Sequence, residues 1–128
     1  MGKKAHGRLV RELRDVLINS GFKPAALTAL QTPAGARPVR APGFSLRKHH
    51  DGRSVRLSYR LSRRPQGLSR DEAQAQGRTL LRLLARYHVP LERAGFVCAG
   101  LHSRDPLNPY SLWRRAEPGR PPQGEGAA

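Results

Sequence analysis

Strict alternation of apolar and polar residues in the middle of the chain constrains the fold more than any other feature of the sequence. From Val55 to Leu61, every second residue is apolar, and the residues between them are serine or arginine. This two-residue period is that of a β-strand with one buried face. Because Asp51-Gly52, a common hairpin turn, precedes the run, the sequence predicts a β-hairpin over about 44–62.

The Asp51-Gly52 pair also predicts the register of this hairpin. Such a pair favours a two-residue type I′ turn, and counting outward from that turn places Arg47 opposite Arg56. The apolar residues then share one face, which is what a half-buried sheet requires. The count gives the apolar pairs Leu46 with Leu57 and Phe44 with Tyr59.

Two helices are predicted from apolar residues at helical spacing. The first covers about 8–20 and ends before Gly21, a typical helix C-cap. The second covers about 70–88 and begins after Ser69, which lies three residues before Glu72 and so forms a capping box with it.

Together these elements predict a small single domain of the α+β class, in which an antiparallel sheet built around the hairpin packs against the two helices. We expect the domain to span 1–102 and to include a short buried strand over about 96–101. Clustered prolines predict a long proline-rich loop over 23–43. They also predict a Pro/Gly-rich C-terminal tail over 103–128, whose last part is disordered.

The chain is strongly basic, with 24 Lys and Arg against 9 Asp and Glu and a formal net charge of +15. A surplus of this size repels itself unless an anionic partner offsets it, and nucleic acid is the commonest such partner. Most of the basic residues are arginines, which suit phosphate contacts but also follow from the codon usage of a GC-rich genome. The charge therefore indicates a class of partner and no reaction.

Cysteine content and hydropathy give the expected compartment. Cys98 is the single cysteine, which excludes an intramolecular disulfide and a Cys-rich zinc site. No apolar run approaches the roughly 20 residues that span a bilayer. We expect a cytoplasmic protein that does not contact a membrane and uses no metal or cofactor.

The predicted outer face of the hairpin is the candidate binding site. Arg47 opposite Arg56 is a like-charge cross-strand pair, which a bound anion would relieve. Phe44 and Tyr59 point inward in this register, so we expect contacts with the backbone of DNA or RNA rather than stacking on bases. The expected nucleic-acid-binding residues are Arg47, His49, Arg56, Arg60, Arg63, Arg64, Arg78, Arg82 and Arg86.

The residues His49-His50-Asp51-Gly52 favour an alternative, enzymatic function. They are similar to the opening of HNH-type nucleases. The order helix, hairpin, helix, with Gly21-Phe22 after the first helix and two histidines in the hairpin, resembles the double-stranded-RNA-binding fold and the HicA-type mRNA interferases. These resemblances imply a small RNase or nuclease with His49 and His50 as candidate catalytic residues.

Strand geometry favours the non-enzymatic function. As adjacent residues of a strand, His49 and His50 should point to opposite faces and could not jointly hold one ion. A further alternative is a protein-interaction or structural module of a phage or ribonucleoprotein assembly. In that function the segment 105–115, which carries Tyr110 and Trp113, would dock a protein partner.

Overall fold

The computed structural model of the chain describes residues 2–117, and these residues form three helices and six strands. The predicted disorder at the end of the tail lies outside the described residues. In chain order the elements are α1 (Lys3–Asn19), β1 (Ala26–Thr32), β2 (Gly35–Ala41), β3 (Gly43–Lys48), β4 (Val55–Arg60), α2 (Arg70–Ala85), α3 (His88–Arg93), β5 (Phe96–His102) and β6 (Tyr110–Arg115).

Two antiparallel sheets organise these strands. The main sheet has four strands in the order β3-β4-β6-β5, and a separate two-stranded ribbon pairs β1 with β2. The predicted α+β class and small single domain are confirmed. Two strands, β5 and β6, follow the second helix and extend the helix–hairpin–helix outline of the sequence.

All three helices pack on one face of the main sheet. Leucines at helical spacing on α1, namely Leu9, Leu13 and Leu17, are buried against the sheet together with Leu84 from α2. Leu91 from α3 joins the same core. The sheet contributes every second residue of its strands to this core. Because the three helices all lie on that side, no helix within 2–117 covers the other face of the sheet. The core residues of the sheet are Phe44, Val55, Leu57, Phe96 and Trp113.

The predicted hairpin register is confirmed. In the β3–β4 pair, Arg47 lies opposite Arg56 and Phe44 lies opposite Tyr59. Phe44 and Leu57 are buried, as an inward face requires. The position of the turn predicted this register, and the hydrophobic pattern supports it because a shift of one residue would have moved every apolar side chain to the open face.

The turn of this hairpin differs from the predicted type I′ turn. That turn needs a positive φ at both central residues, but only Gly52 has one, at 78°. The Asp51 carboxylate instead accepts hydrogen bonds from the backbone N–H groups of Arg53 and Ser54, at 3.0 and 2.9 Å. Asp51 thus organises a longer turn through its side chain.

Asp51 should make the stability of the fold depend on pH. Burial acts to raise the pKa of Asp51, but the hydrogen bonds from Arg53 and Ser54 outweigh it and hold this pKa below its ordinary value of 3.8. A lowered pKa in the folded state stabilises the fold above the ordinary value, and this contribution is lost as the pH falls through the folded pKa.

We therefore expect Asp51→Asn, which keeps a side-chain acceptor and removes the charge, to lower the free energy of unfolding by about 1 kcal/mol at pH 7, a value reduced for solvent screening. The difference from wild type should shrink as the pH falls below about 4. Urea unfolding at several pH values measures it, and a difference that stays constant with pH would contradict this role for Asp51.

The predicted long loop over 23–43 is wrong, because 26–41 form the ribbon. A turn at Pro33-Ala34-Gly35 connects its strands, with Gly35 at a φ of 118° and the Thr32 hydroxyl donating to the Gly35 carbonyl at 2.7 Å. Both strands of a two-stranded ribbon are edge strands, where a proline such as Pro38 is tolerated. The proline count was therefore a misleading sign of a loop.

The predicted tail beginning at 103 is also wrong up to Arg115, because β6 lies inside the main sheet between β4 and β5. Trp113 has no exposed surface and donates its indole N–H to the hydroxyl of Ser111 at 2.7 Å. The prolines lie in the loop before this strand. The Asp105 carboxylate holds that loop by accepting hydrogen bonds from the Leu107 N–H at 3.0 Å and from the Asn108 side-chain amide at 2.9 Å.

The predicted helices differ from the structure mainly at their ends. The first begins earlier, at Lys3, and its His6 is buried and donates from Nε2 to the carbonyl of Ser54 at 2.7 Å. The second has the predicted capping box at Ser69 and ends at Ala85, and a separate short helix follows over His88–Arg93. The predicted last strand runs over Phe96–His102.

Candidate functional site

The face of the main sheet that the helices leave uncovered is the candidate site, and we call it the outer face. It consists of the residues that alternate with the core residues along the four strands. By the strand pairings these are Ser45 and Arg47 of β3, Arg56, Ser58 and Arg60 of β4, Val97, Gly100 and His102 of β5, and Tyr110, Leu112 and Arg114 of β6.

Three of the arginines predicted from the sequence meet on the outer face. Arg47 and Arg56 lie directly opposite each other, and Arg60 follows on the same side of β4. Burial lowers the pKa of Arg60, and the positive charges of Arg47 and Arg40 lower it further. The guanidinium groups are thus close enough to repel one another, and a bound anion would reduce that repulsion.

Carboxylates are absent from the strands of this surface, although Asp51 lies near His49 and Asp105 lies near Arg64. None of the four strands of the main sheet contains Asp or Glu, and over 16–70 eleven lysines and arginines accompany a single acid, Asp51. The ion pairs recorded within 2–117 lie elsewhere, between Arg115 and Glu12 and between His88 and Glu92. The potential over the outer face is therefore set mainly by its arginines.

His49 joins the outer face at its edge. Its Nδ1 accepts a hydrogen bond from the guanidinium of Arg56 at 3.4 Å, an arrangement that requires the neutral ring. Burial lowers the pKa of His49, His50 and Arg56 lower it further, and Asp51 acts in the opposite direction. The expectation that His49 and His50 point to opposite faces is wrong, since their ring centres are 4.0 Å apart at the turn.

Tyr110 begins β6 and lies on the outer face. It was not predicted to join the arginines, because 105–115 was predicted to belong to a tail that could dock a protein partner. The guanidinium of Arg56 lies over the ring of Tyr110, 4.0 Å from the centroid. The ring of His102 stacks on Tyr110 with a centroid separation of 4.8 Å and an interplanar angle of 10°. Because β6 lies between β4 and β5, these two neighbours approach the tyrosine from opposite sides. Tyr110 thus holds Arg56 in position.

A basic groove continues from the outer face toward the ribbon. One hollow is lined by Arg47, Arg56, Arg60 and Tyr110, and the next by Arg60, Arg64 and Arg40. A third hollow, between the ribbon and the loop after β4, is lined by Arg37, Arg40 and Arg63. None of the three has an acidic residue in its lining. Arg63 and Arg64, predicted from the sequence, therefore lie along this groove, whereas Arg37 and Arg40 extend it.

The remaining predicted arginines do not join this surface. Arg78, Arg82 and Arg86 are exposed on α2, which packs against the opposite face of the sheet. Arg82 donates to the hydroxyl of Thr79 at 3.3 Å, and Arg86 lies over the ring of Phe22. None of them lines a hollow of the basic groove, so they provide a matched set of exposed arginines.

The segment proposed to dock a protein partner is not a free segment. Residues 110–115 are strand β6, which pairs with β4 and β5 and is buried at Ser111, Leu112 and Trp113. Within 2–117, no three His, Cys, Asp or Glu side chains are placed so that they could hold a metal ion. In the same part of the chain, no helix is long and apolar enough to cross a membrane.

Comparison with family models, curated proteins and solved structures finds no match to this chain.

Proposed function

We propose that the protein binds nucleic acid without cleaving it, and that it holds backbone phosphates on the outer face and along the basic groove. The observation that supports this most strongly is the meeting of Arg47, Arg56 and Arg60 on one face whose strands contain no carboxylate. Guanidinium groups hold phosphate oxygens with two parallel hydrogen bonds, and such contacts supply affinity without reading the sequence.

The arrangement around Tyr110 supports backbone recognition over stacking on bases. Both sides of the tyrosine ring are occupied, by Arg56 and by His102. An unstacked base would have to displace one of them to reach the ring, whereas a phosphate can contact the guanidinium of Arg56 from solvent.

The triple variant Arg47→Ala/Arg56→Ala/Arg60→Ala tests this function. Each phosphate contact contributes about 10-fold in affinity at about 50 mM salt, so we expect the triple variant to bind a nucleic-acid mixture up to about 1,000-fold more weakly than wild type. Fluorescence anisotropy with labelled DNA and RNA measures the loss.

The matched control is Arg78→Ala/Arg82→Ala/Arg86→Ala, which removes the same formal charge from α2. We expect it to bind within about 3-fold of wild type, because its arginines contact no phosphate at the outer face. Equal losses in the two triple variants would show that net charge alone drives binding and would contradict the proposed site.

A second function, cleavage of RNA, is favoured by one observation: His49 and His102 both lie near Tyr110, and Arg56 contacts both His49 and Tyr110. Two imidazoles beside arginines are groups that could move protons during phosphodiester cleavage. Under the proposed binding function, labelled RNA stays intact during incubation with the protein. Cleavage that is lost in both His49→Ala and His102→Ala would favour the enzymatic function.

A further inference from the structure

Most of the described side chains of the ribbon formed by β1 and β2 are exposed. Every residue of β2 is exposed, and Leu27 and Leu30 of β1 are 69% and 53% exposed. Large apolar side chains at such exposure, together on one small element, indicate a surface that is covered in a complex. The ribbon contributes nothing to the hydrophobic core of the domain.

Each arginine of the ribbon lies opposite a leucine. Leu27 pairs with Arg40, and Leu30 pairs with Arg37. Since these two pairs are separated by an odd number of positions along the strands, they project from opposite faces of the ribbon. The ribbon therefore presents one cation and one large apolar group on each of its faces, and no acid lies within 26–41.

The ribbon is continuous with the basic groove. Arg40 lines a hollow together with Arg60, and Pro42 alone connects β2 with β3, the edge strand of the main sheet. A nucleic acid held by Arg47, Arg56 and Arg60 would thus extend toward Arg40 without meeting a carboxylate of the groove lining. Charge complementarity selects a polyanion as the occupant of the ribbon surface.

We propose that the partner is duplex DNA and that the ribbon enters its major groove while the outer face and the basic groove hold the neighbouring phosphates. This inference rests on the proposed function and specifies the ligand of the same surface. The major groove of B-form DNA is about 12 Å wide and admits a two-stranded β-ribbon. The leucine on the face that meets the base edges would contact thymine methyl groups there, its arginine partner would contact guanines, and the arginine of the opposite face would contact the flanking phosphates.

The chemistry of the ribbon favours a DNA duplex over the other forms of nucleic acid. A single strand is bound through aromatic rings that stack on its bases, and 26–41 contain no aromatic residue. An A-form RNA duplex has a deep, narrow major groove that side chains do not read. Both alternatives would use the outer face and leave the ribbon exposed.

Binding of three labelled ligands of one sequence tests the inference: a DNA duplex, the corresponding RNA duplex and single-stranded DNA. We expect the DNA duplex to bind at least about 10-fold more tightly than either of the others at about 100 mM salt. We also expect the protein to protect guanine N7, which lies in the major groove, from methylation. Equal affinity for all three, or unprotected N7, would overturn the inference.

Two variants test the ribbon. At about 100 mM salt each phosphate contact contributes about 8-fold, so Arg37→Ala/Arg40→Ala should bind the DNA duplex about 60-fold more weakly. Because these arginines also lie along the basic groove, the variant that separates this inference from the proposed function is Leu27→Ser/Leu30→Ser. It should bind the DNA duplex at least about 10-fold more weakly and the RNA duplex within about 3-fold of wild type. All four side chains are exposed, so urea unfolding should confirm an unchanged fold.

The outcomes distinguish the two proposals. If Leu27→Ser/Leu30→Ser binds the DNA duplex like wild type while the triple variant of the outer face does not, the ribbon inference is overturned and the proposed function stands. If wild type binds none of the three ligands, both are overturned.

A second copy of the chain is the competing occupant of the exposed leucines. Sedimentation velocity of the protein alone should show a monomer in both wild type and Leu27→Ser/Leu30→Ser. A dimer that this double variant dissociates would overturn the assignment of the ribbon to DNA.

Discussion

Replacing Trp113 with alanine should lower the free energy of unfolding by about 4 kcal/mol, which is a large part of the total stability of a small domain. Trp113 is fully buried in β6, opposite Val55 of β4 and Cys98 of β5. The ring of His88 contacts it edge-on, with a centroid separation of 4.9 Å. The substitution would leave a cavity between the sheet and α3, and the buried Ser111 hydroxyl would lose its hydrogen-bond partner.

The control for this prediction is Val89→Ala, since Val89 is 56% exposed on α3. We expect it to change the free energy of unfolding by less than about 0.5 kcal/mol. Urea unfolding followed by circular dichroism compares the two. A loss below about 1 kcal/mol for Trp113→Ala would contradict the placement of β6 inside the sheet, because a tryptophan in a loose tail carries no such contribution.

Replacing Gly43 with alanine should destabilise the fold by about 3 kcal/mol. A Cβ atom at Gly43 would collide with the carbonyl oxygen of Lys23 and would lie 2.7 Å from the carbonyl carbon of Pro24 and 2.8 Å from the nitrogen of Ala25. These neighbours are backbone atoms. Two hydrogen bonds fix them, from Phe44 N–H to the Lys23 carbonyl at 3.1 Å and from Ala25 N–H to the Phe44 carbonyl at 2.8 Å.

Gly7→Ala is the matched substitution with the opposite expected sign. Gly7 lies within α1, and the nearest neighbour of its added Cβ would be Nζ of Lys48 at 3.7 Å, an ordinary contact. Glycine within a helix is less stable than alanine, so this change should stabilise the fold by about 0.5–1 kcal/mol. Urea unfolding measures both variants. An unchanged free energy of unfolding in Gly43→Ala would contradict the close pairing of residues 23–25 with the start of β3.

The sequence pattern predicted those parts of the fold in which the buried residues follow the period of the strand or helix that carries them. Counting outward from Asp51-Gly52 predicted the pairing of Arg47 with Arg56, and the alternation in β4 supported that count, because a shift of one residue would have exposed the core. The capping box at Ser69 similarly predicted the start of α2. These features are local and follow from the residues that form them.

The ribbon and β6 could not be predicted in the same way. The ribbon buries neither face, so its sequence has no alternation, and its prolines resemble those of a loop. In β6, the run from Tyr110 to Arg115 contains the tyrosine and tryptophan typical of strands, but the prolines before it obscured that signal. Its place between β4 and β5 depends on contacts distant in sequence.

Only part of the candidate site could be predicted from the sequence, for the same reason. Arg47, Arg56 and Arg60 follow from the register, whereas Tyr110 and His102 join them only through the pairing of β6 with its neighbours. The arginines of α2 lie on one side of that helix, as their spacing predicts, but they do not join the outer face of the sheet. Spacing within one helix does not show which side of the sheet the helix covers.

The salt dependence of binding to a DNA duplex tests the central claim most directly. The affinity of the wild-type protein is measured by fluorescence anisotropy from about 50 to 300 mM salt, with the triple variant of Arg47, Arg56 and Arg60 in parallel. We expect log K to fall linearly with log salt, and the slope to become shallower by about 2.7 in the triple variant, which corresponds to three lost phosphate contacts. A wild-type slope near zero, or the same slope in both proteins, would contradict an outer face that holds phosphates.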